Sequence, residues 1–184
     1  MTLTRRLYHG EDDYWRIRVF LREVLLRNGL RELSWHVAEF DYWRWHLVAN
    51  LGSWDLATVV FLWETTDGRL AAVLNPIMNG EVILHIHPDF RTPDLEDEML
   101  AVAEEHLSVT GEDNRRSLQV LVGVQDEMRH AALIRNGFKR ITAPEYQACW
   151  RRRSLETPIP ESAPPPGYTV RALGEGLELL ERCY

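Results

Sequence analysis

Residues 83–107 read ILHIHPDFRTPDLEDEMLAVAEEHL, and this stretch decides the fold. Its first part belongs to a strand that the sequence predicts over residues 81–87, and its second part predicts a helix over residues 93–108. Thr92 is suited to capping that helix, and Pro93 is suited to its first position, where no N–H is needed. Acidic residues follow in the opening turns, where the positive end of the helix dipole favours carboxylates. The stretch therefore predicts a strand that passes through a short turn into a well-capped helix.

Two more β-rich runs precede this strand, at residues 57–64 and 69–77. An Asp-Gly pair at 67–68 separates the two runs, and an Asn-Gly pair at 79–80 separates the second run from the strand at 81–87. Asx-Gly pairs favour the two-residue turns of β-hairpins. We therefore expect three consecutive strands that pair antiparallel in chain order.

The remaining elements extend this pattern in both directions. The strand that follows the helix at 93–108 should lie parallel to the strand at 81–87, since a helix joins the two as a right-handed crossover does. The remaining predicted elements are a strand at 4–8, helices at 12–27 and 41–50, a strand at 117–123, a helix at 126–135 and a strand at 146–152. The order β-α-α-β-β-β-α-β-α-β predicts an α/β (α+β) fold with a mixed, mostly antiparallel central sheet flanked by helices.

The C-terminal part of the sequence differs in composition. Residues 154–167 hold five of the nine prolines, which indicates an extended linker. Residues 168–184 then repeat the pattern of the chain's start, namely a strand, a Gly-Glu pair and a helix. The repeat is short, so a chance match is the alternative. We predict a first domain at 1–153, a proline-rich linker at 154–167 and the start of a second, similar domain at 168–184.

Composition and charge argue against several classes of function. The chain has 184 residues, a formal net charge of −7 and a sequence pI near 5.5. It lacks the broad basic stripe that a nucleic-acid-binding surface needs. The longest apolar run, at residues 56–63, is too short to span a bilayer, and the start of the chain has no signal-peptide h-region. Cys149 and Cys183 suggest no disulfide framework. We expect a cytoplasmic protein without a nucleic-acid or membrane partner.

A metal site is not predicted either. His85 and His87 alternate along one strand and therefore face the same side of the sheet, which is a geometry that two metal ligands could use. No third ligand stands at a suitable spacing.

Two stretches of the sequence resemble the GNAT family of N-acetyltransferases. Residues 86–91, Ile-His-Pro-Asp-Phe-Arg, match the family's turn V-x-P-x-[YF]-[RQ] after the central strand. The sequence Asn-Gly-Phe at 136–138 matches the close of the family's last motif, whose alanine position holds Arg129 here. The resemblance implies a GNAT-like fold, acetyl-CoA as the cofactor of the family and a small-molecule amine as acceptor, and it leaves a homodimer open. It also assigns cofactor contacts to Leu84, Ile86 and Arg91.

The loop that should hold the diphosphate of acetyl-CoA departs from the family pattern R-x-x-G-x-[GA]. Asp94 and Glu96 occupy its two small-residue positions, and Pro93 has no N–H to offer. At about 5 Å and an effective dielectric constant near 20, each carboxylate would repel a phosphate charge by about 3 kcal/mol. Leu133 stands where the family commonly has a tyrosine that returns a proton to the thiolate. We therefore predict no catalytic residue in this chain and no tight binding of acetyl-CoA.

Three hypotheses about function follow. In the first, this chain is the structural or substrate-shaping N-terminal domain of a tandem GNAT acetyltransferase whose chemistry lies in a C-terminal domain that begins at residue 168. In the second, the domain is itself an active N-acetyltransferase that acts on a small-molecule amine. In the third, it is a non-catalytic interaction module. Under the second hypothesis, four polar residues near the second helix could orient an amine: His36, Asp41, His46 and Asn50. The simpler interpretation is that they form the cap and the polar face of a short helix.

Overall fold

The computed structural model describes residues 2–29, 34–50, 54–111, 114–141, 154, 156, 158 and 163–171. The chain divides into two compact units, Met1–Arg140 and Ile141–Tyr184. All helices and strands that the structure describes belong to the first unit.

The second unit is described only in part. Residues 163–171 form no helix or strand, and they contain a turn in which the N–H of Tyr168 donates to the carbonyl of Pro165 at 3.1 Å. The strand expected at 146–152 and the helix expected near the chain's end lie outside the described residues.

A five-stranded sheet forms the centre of the first unit, with the strand order β1-β2-β3-β4-β7. The strands of this sheet are β1 (Leu3–Leu7), β2 (Phe61–Thr65), β3 (Leu70–Met78), β4 (Glu81–Ile86) and β7 (Gln119–Val120). A separate two-stranded hairpin pairs β5 (Val109–Thr110) with β6 (Arg116–Ser117). Strands β1 to β4 pair antiparallel, and β7 pairs parallel with β4. The predicted fold class and the predicted order of the central strands are therefore confirmed.

Six helical segments flank the sheet. They are α1 (Glu11–Arg27), α2 (Val37–Tyr42), α3 (Val48–Asn50), α4 (Leu56–Val59), α5 (Pro93–Leu107) and α6 (Glu127–Arg135). One π-helical turn, Trp43–Leu47, joins α2 to α3.

The structure corrects the second predicted helix, which was expected to begin at residue 41. The helix begins at Val37, because His36 caps it: Nδ1 of His36 accepts from the N–H of Ala38 at 3.1 Å. The side chain of Glu39 accepts in return from the N–H of His36 at 3.0 Å. This reciprocal pair is a capping box in which a histidine replaces the usual serine or threonine, and for this reason the sequence pattern did not reveal it.

Two predicted strands are shorter than expected. Residues 57–59, expected to be extended, belong to α4, because Oδ1 of Asp55 accepts from the N–H of Ala57 at 3.0 Å and caps a helical turn. The strand expected at 117–123 is reduced to β7, whose last ladder bond runs from the N–H of Leu121 to the carbonyl of Val82 at 3.0 Å. Beyond that bond, β4 and the chain after β7 are no longer paired.

Both faces of the sheet are buried. One core lies between the sheet and α5 and α6, and Trp63, Leu74 and Leu84 contribute to it. The other core lies between the sheet and α1 and α2, and it includes Leu62 and Val73. Because successive strand residues point to opposite faces, a doubly covered sheet needs long apolar runs in its central strands. This requirement explains why β3 is buried over seven successive residues.

No helix among the described residues has both the length and the apolar character needed to cross a membrane. Within the same part of the chain, no group of three or more histidine, cysteine, aspartate or glutamate side chains is placed to hold a metal ion.

Candidate functional site

The candidate site lies where β4 passes into α5. A single 3₁₀ turn, Pro88–Phe90, follows the strand, and Nδ1 of His87 accepts from the N–H of Asp89 at 3.2 Å to cap it. Oγ1 of Thr92 then accepts from the N–H of Leu95 at 3.2 Å, and Pro93 occupies the first turn of α5. The cap predicted at Thr92 is confirmed. These two caps fix the path of the chain around Arg91.

The guanidinium of Arg91 is bonded to two carboxylates of the protein itself. Its Nε donates to Oε1 of Glu96 at 2.7 Å, and its Nη2 donates to Oδ1 of Asp126 at 2.6 Å. Burial lowers the pKa of Arg91, but the two carboxylates outweigh that effect and hold its pKa above the ordinary value. Arg91 is therefore fully charged, and its Nε and Nη2 donate to groups of the protein.

Glu96 is bonded by a second arginine, Arg129 of α6. Nε of Arg129 donates to Oε2 of Glu96 at 2.8 Å, and Nη2 donates to Oε1 at 3.2 Å. The remaining terminal nitrogen, Nη1, donates to the backbone carbonyl of Leu84 in β4 at 2.7 Å. Glu96 is 0% exposed and Arg129 is 2% exposed. Sequence reasoning did not assign Arg129 to this site.

These four side chains form a compact group that we call the buried ion cluster: Arg91, Glu96, Asp126 and Arg129. Two cations and two anions give it no net charge. Asp126 also caps α6, since its Oδ1 accepts from the N–H of Arg129 at 3.2 Å. The cluster therefore joins the end of β4, the start of α5 and the start of α6.

The position of Glu96 differs from our expectation of a carboxylate that directly repels an incoming phosphate. Its side chain is turned into the protein and neutralised by two arginines. Its effect on an anion is therefore indirect, because it engages the donors of Arg91. Asp94 is exposed.

Arg129 fills the gap between β4 and β7. The two strands separate after Val82 and Val120, and the guanidinium of Arg129 bonds to the Leu84 carbonyl just beyond that point. The side chains of Leu84 and Ile86, to which the resemblance assigned cofactor contacts, are 0% and 4% exposed.

A cleft of about 150 Å³ remains next to the cluster. It is smaller than the roughly 300–1,000 Å³ of typical small-molecule sites. It is lined by Asn28, Ser34, Ile86, Pro88, Arg91, Met128 and Arg129.

His85 in β4 and His87 directly after it lie on the opposite face of the sheet from Leu84 and Ile86. His85 is fully buried, and burial, together with the charge of Arg129, lowers its pKa to about 3. Its Nδ1 accepts from the N–H of Trp35 at 3.4 Å, so the proton of the neutral ring is on Nε2. Nε2 of His87 lies 3.2 Å from Oε1 of Glu23 in α1. His85 is therefore a neutral core side chain at physiological pH.

The four polar residues that could have oriented an amine have structural roles. His36 caps α2, as described above. Asp41 accepts from the hydroxyl of Tyr14 at 2.8 Å. Nδ2 of Asn50 donates to the backbone carbonyl of His46 at 2.7 Å. These contacts support the simpler interpretation of helix caps and polar faces.

Leu133, at the position where the family commonly has a tyrosine, is 9% exposed and packs in the core between α5, α6 and the sheet. A leucine side chain has no proton to donate. Leu133 therefore contributes packing to this site.

Comparison with solved structures identifies the architecture. A GCN5-related N-acetyltransferase from Sphaerobacter thermophilus superimposes with a TM-score of 0.55 over 74% of this chain, at 18% sequence identity. The fold is that of the GNAT N-acetyltransferases. The present chain spans only 43% of the length of that protein. No protein-family model and no curated protein matches this sequence significantly.

A second GNAT structure is less similar. It is an aminoglycoside 6'-N-acetyltransferase from Acinetobacter baumannii, with a TM-score of 0.45 and 11% identity. The match covers 83% of this chain and 99% of that one. The assignment of the GNAT fold rests on the Sphaerobacter thermophilus structure.

Proposed function

We propose that this chain is a GNAT domain that neither binds acetyl-CoA tightly nor transfers acetyl groups, and that it acts as a structural or substrate-shaping domain of an N-acetyltransferase. The observation that carries the proposal is the buried ion cluster. Its carboxylates take the place beside Arg91 that the diphosphate of a cofactor would need, and they satisfy the charge of that arginine within the protein.

Displacing these contacts is costly. Separating a buried charge from its partners costs about 3–5 kcal/mol, because the remaining charges are left unpaired in a poorly solvated site. A micromolar ligand gains only about 8 kcal/mol in total. An entering diphosphate would have to release Arg91 from Glu96 and Asp126 first, and roughly half of its binding free energy would be lost in doing so.

Steric room supports the same conclusion. The separation between β4 and β7 is the place for the pantetheine arm in this family, and Arg129 lies in it, bonded to the carbonyl of Leu84. The adjoining cleft of about 150 Å³ is too small for a molecule of the size of acetyl-CoA. Binding would therefore require Arg129 to leave a site where it is 2% exposed.

We further propose that the catalytic site of the parent protein lies in a second GNAT domain that begins near residue 168, after the linker at 154–167. The sequence pattern of residues 168–184, which repeats that of the chain's start, supports this tandem arrangement. A small-molecule amine would be the acceptor in the cytoplasm, with acetyl-CoA bound by the second domain. A homodimer is compatible with this arrangement.

The alternative is that this domain is itself an active N-acetyltransferase. The cleft that adjoins Ile86 and Arg91 favours it, because it lies where the resemblance places the cofactor. A non-catalytic interaction module is the third hypothesis, and it would apply if the full-length protein bound no acetyl-CoA at all.

Calorimetry with acetyl-CoA separates these hypotheses. We expect no binding stronger than about 1 mM by the unaltered chain. The informative variant combines Glu96→Gly with Arg129→Ala, which restores a small residue to the loop and empties the space beside Leu84. The matched control combines Asp97→Gly with Arg135→Ala, an exposed ion pair of 2.9 Å between the same two helices.

Binding by the Glu96/Arg129 variant alone would support the cluster as the cause of the defect. Micromolar binding by the unaltered chain would disprove the proposal and favour the active-domain hypothesis. Equal binding by the control and the Glu96/Arg129 variant would show that the cluster is not responsible.

A further inference from the structure

A second and larger cavity lies at the opposite end of the sheet from Arg91. Its volume is about 360 Å³, and it is formed by the link from β1 to α1, by the π-helical turn and by the start of α4. Trp54 lies in the wall of the cavity, and its Nε1 donates to Oδ1 of Asn79. Asn79 lies in the turn before β4, whereas Arg91 follows the end of that strand, so the cavity and Arg91 are at opposite ends of β4. The volume falls within the range of small-molecule sites. The cavity is therefore distinct from the candidate cofactor site.

Aromatic side chains form its walls. The rings of Tyr14 and Trp45 lie 5.6 Å apart at 80° to each other, so that they form a corner. Their positions are fixed, because Nε1 of Trp45 donates to the hydroxyl of Tyr14 at 2.8 Å, and that hydroxyl donates to Asp41 at 2.8 Å. Tyr8 and Trp54 complete the aromatic lining.

The π-helical turn Trp43–Leu47 produces this arrangement. Trp43 is 1% exposed and packs in the core, while Trp45 is 54% exposed and lines the cavity together with Arg44. An extra residue in a helical turn changes which side chains face inward, and such turns frequently occur at functional sites. Half-exposed tryptophan at the edge of a cavity is apolar surface that a ligand could cover.

Charges of both signs line the same cavity. The guanidinium of Arg44 lies 4.7 Å from the centre of the Trp45 ring. It is also close enough to Tyr8 to oppose the rise that burial causes in the pKa of that tyrosine. Among the described residues, Arg44 forms no ion pair with a carboxylate. It is a positioned cation without an anionic partner in that part of the chain.

Two carboxylates, those of Glu11 and Asp55, line the cavity as well. Oε1 of Glu11 accepts from Nε1 of Trp15 at 3.3 Å, and Oδ1 of Asp55 caps α4. In the part of the chain that the structure describes, neither carboxylate pairs with an arginine or lysine. The second oxygen of each can accept from a ligand.

We propose that this cavity binds a small zwitterion of the α-amino-acid type with an apolar side chain. The ligand's carboxylate pairs with Arg44, its ammonium group faces Glu11 and Asp55, and its side chain packs against the aromatic corner. A ligand with only one charge would leave the opposite charges of the cavity unsatisfied. The site is independent of the proposed defect in acetyl-CoA binding.

Calorimetry with L-phenylalanine and two analogues tests the proposal. Phenethylamine lacks the carboxylate, and 3-phenylpropionate lacks the ammonium group. We expect L-phenylalanine to bind and each analogue to bind at least about tenfold more weakly, because a hydrogen bond to a charged group is lost. No binding of L-phenylalanine at about 1 mM would overturn the proposal, as would equal affinities for all three compounds.

Variants assign the contacts. Arg44→Gln should weaken L-phenylalanine at least about tenfold and leave phenethylamine unchanged, whereas Glu11→Gln should weaken phenethylamine and leave 3-phenylpropionate unchanged. Arg22→Gln, which removes an exposed arginine of α1 outside the cavity, is the matched control and should change nothing.

If Arg44→Gln does not fold, Arg44→Lys replaces it, and we expect weaker binding of L-phenylalanine because the planar fork is lost. Undiminished binding of L-phenylalanine by the folded Arg44 variant would refute the assignment.

Discussion

Arg91 shows how much a single position in a motif depends on residues outside that motif. The sequence predicted that Arg91 follows β4 and that Thr92 caps α5, and both are observed. The sequence also carried a signal for the Glu96–Arg129 pair of the buried ion cluster, because both residues depart from the family pattern and their charges are opposite. Opposite charges at positions that a fold brings together predict an ion pair. The sequence alone did not reveal this pair, since the two residues lie 33 positions apart and on different helices.

The first prediction at this scale concerns Glu96. Glu96→Gln leaves Arg91 and Arg129 with only one remaining carboxylate, so we expect it to lower the free energy of unfolding by about 3 kcal/mol or more. Asp97→Asn is the matched control on the next residue, because it breaks a pair whose side chains are 39% and 45% exposed. An exposed pair contributes less than about 1 kcal/mol. Urea titration measures both, and equal losses would contradict the prediction.

The second concerns the pH dependence of stability. His85 has a pKa of about 3 in the folded protein and an ordinary value of 6.5 when unfolded. Below pH 6.5 the unfolded state therefore binds more protons, and stability falls as the pH falls. Between pH 6.5 and 4.5 the loss should approach about 1.4 kcal/mol per pH unit.

His85→Gln should flatten this slope, while His9→Gln, at an exposed position, should not. The window from pH 6.5 to 4.5 lies above the pH range in which Asp13 and Glu64 titrate in the folded protein. Their arginine partners hold the pKa values of both carboxyls low, so these groups affect stability mainly at lower pH. Denaturant titrations at several pH values provide the measurement. An unchanged slope in His85→Gln would show that His85 does not cause it.

At the scale of elements, the sequence predicted the strands better than their ends. The Asx-Gly turns defined the hairpins of β2, β3 and β4, because those residues favour one local geometry regardless of what surrounds them. The start of α2 at Val37 and the helical turn α4 were not predicted. Both depend on side-chain caps, and in α4 the cap outweighs the strand preference of Thr58 and Val59. The π-helical turn carries no recognisable sequence signal.

The turn between β3 and β4 gives a prediction at this scale. Gly80 has φ of +74°, and a Cβ there would lie 2.5 Å from Cγ2 of Val109 in β5. Gly68 has φ of +81° and no atom within 4 Å of such a Cβ. Gly68→Ala should therefore cost only about 1 kcal/mol for the left-handed backbone, and Gly80→Ala should cost clearly more.

Val109→Ala in the Gly80→Ala background provides the internal check. It removes the methyl groups that would clash, so we expect it to recover the excess cost and leave about the 1 kcal/mol of the backbone conformation. Thermal or urea unfolding of the single and double variants measures the difference. Additive losses in the double variant would disprove the proposed clash.

At the scale of the whole molecule, the sequence predicted the sheet and the helices that cover it, because long apolar runs and turn residues specify both. It did not predict which side chains meet between β4, α5 and α6, since those contacts join residues that are distant in sequence. The larger cavity beside Trp45 was missed for the same reason. Its lining comes from the end of β1, the starts of α1 and α4 and the π-helical turn, and no single stretch of sequence contains it.

The last prediction concerns the C-terminal segment. The first unit contains both cores of the sheet, so we expect deletion of residues 154–184 to change the thermal midpoint by only a few degrees. A drop of more than about 10 °C would correspond to a loss of at least a couple of kcal/mol. Differential scanning calorimetry of the full and shortened chains distinguishes the two outcomes. The larger drop would contradict the proposed division of the chain at the linker.

The buried ion cluster also bears on how the sequence can change over evolutionary time. Each of its members is held by at least one opposite charge, so that losing any one of them leaves the other three with an unbalanced charge in the interior. A change of Glu96 to the glycine of the family pattern would have to coincide with a change at 129, because the intermediate sequence would be poorly stable. Selection that removes unstable intermediates would therefore preserve all four residues together. Such a group therefore resists replacement of its members one at a time.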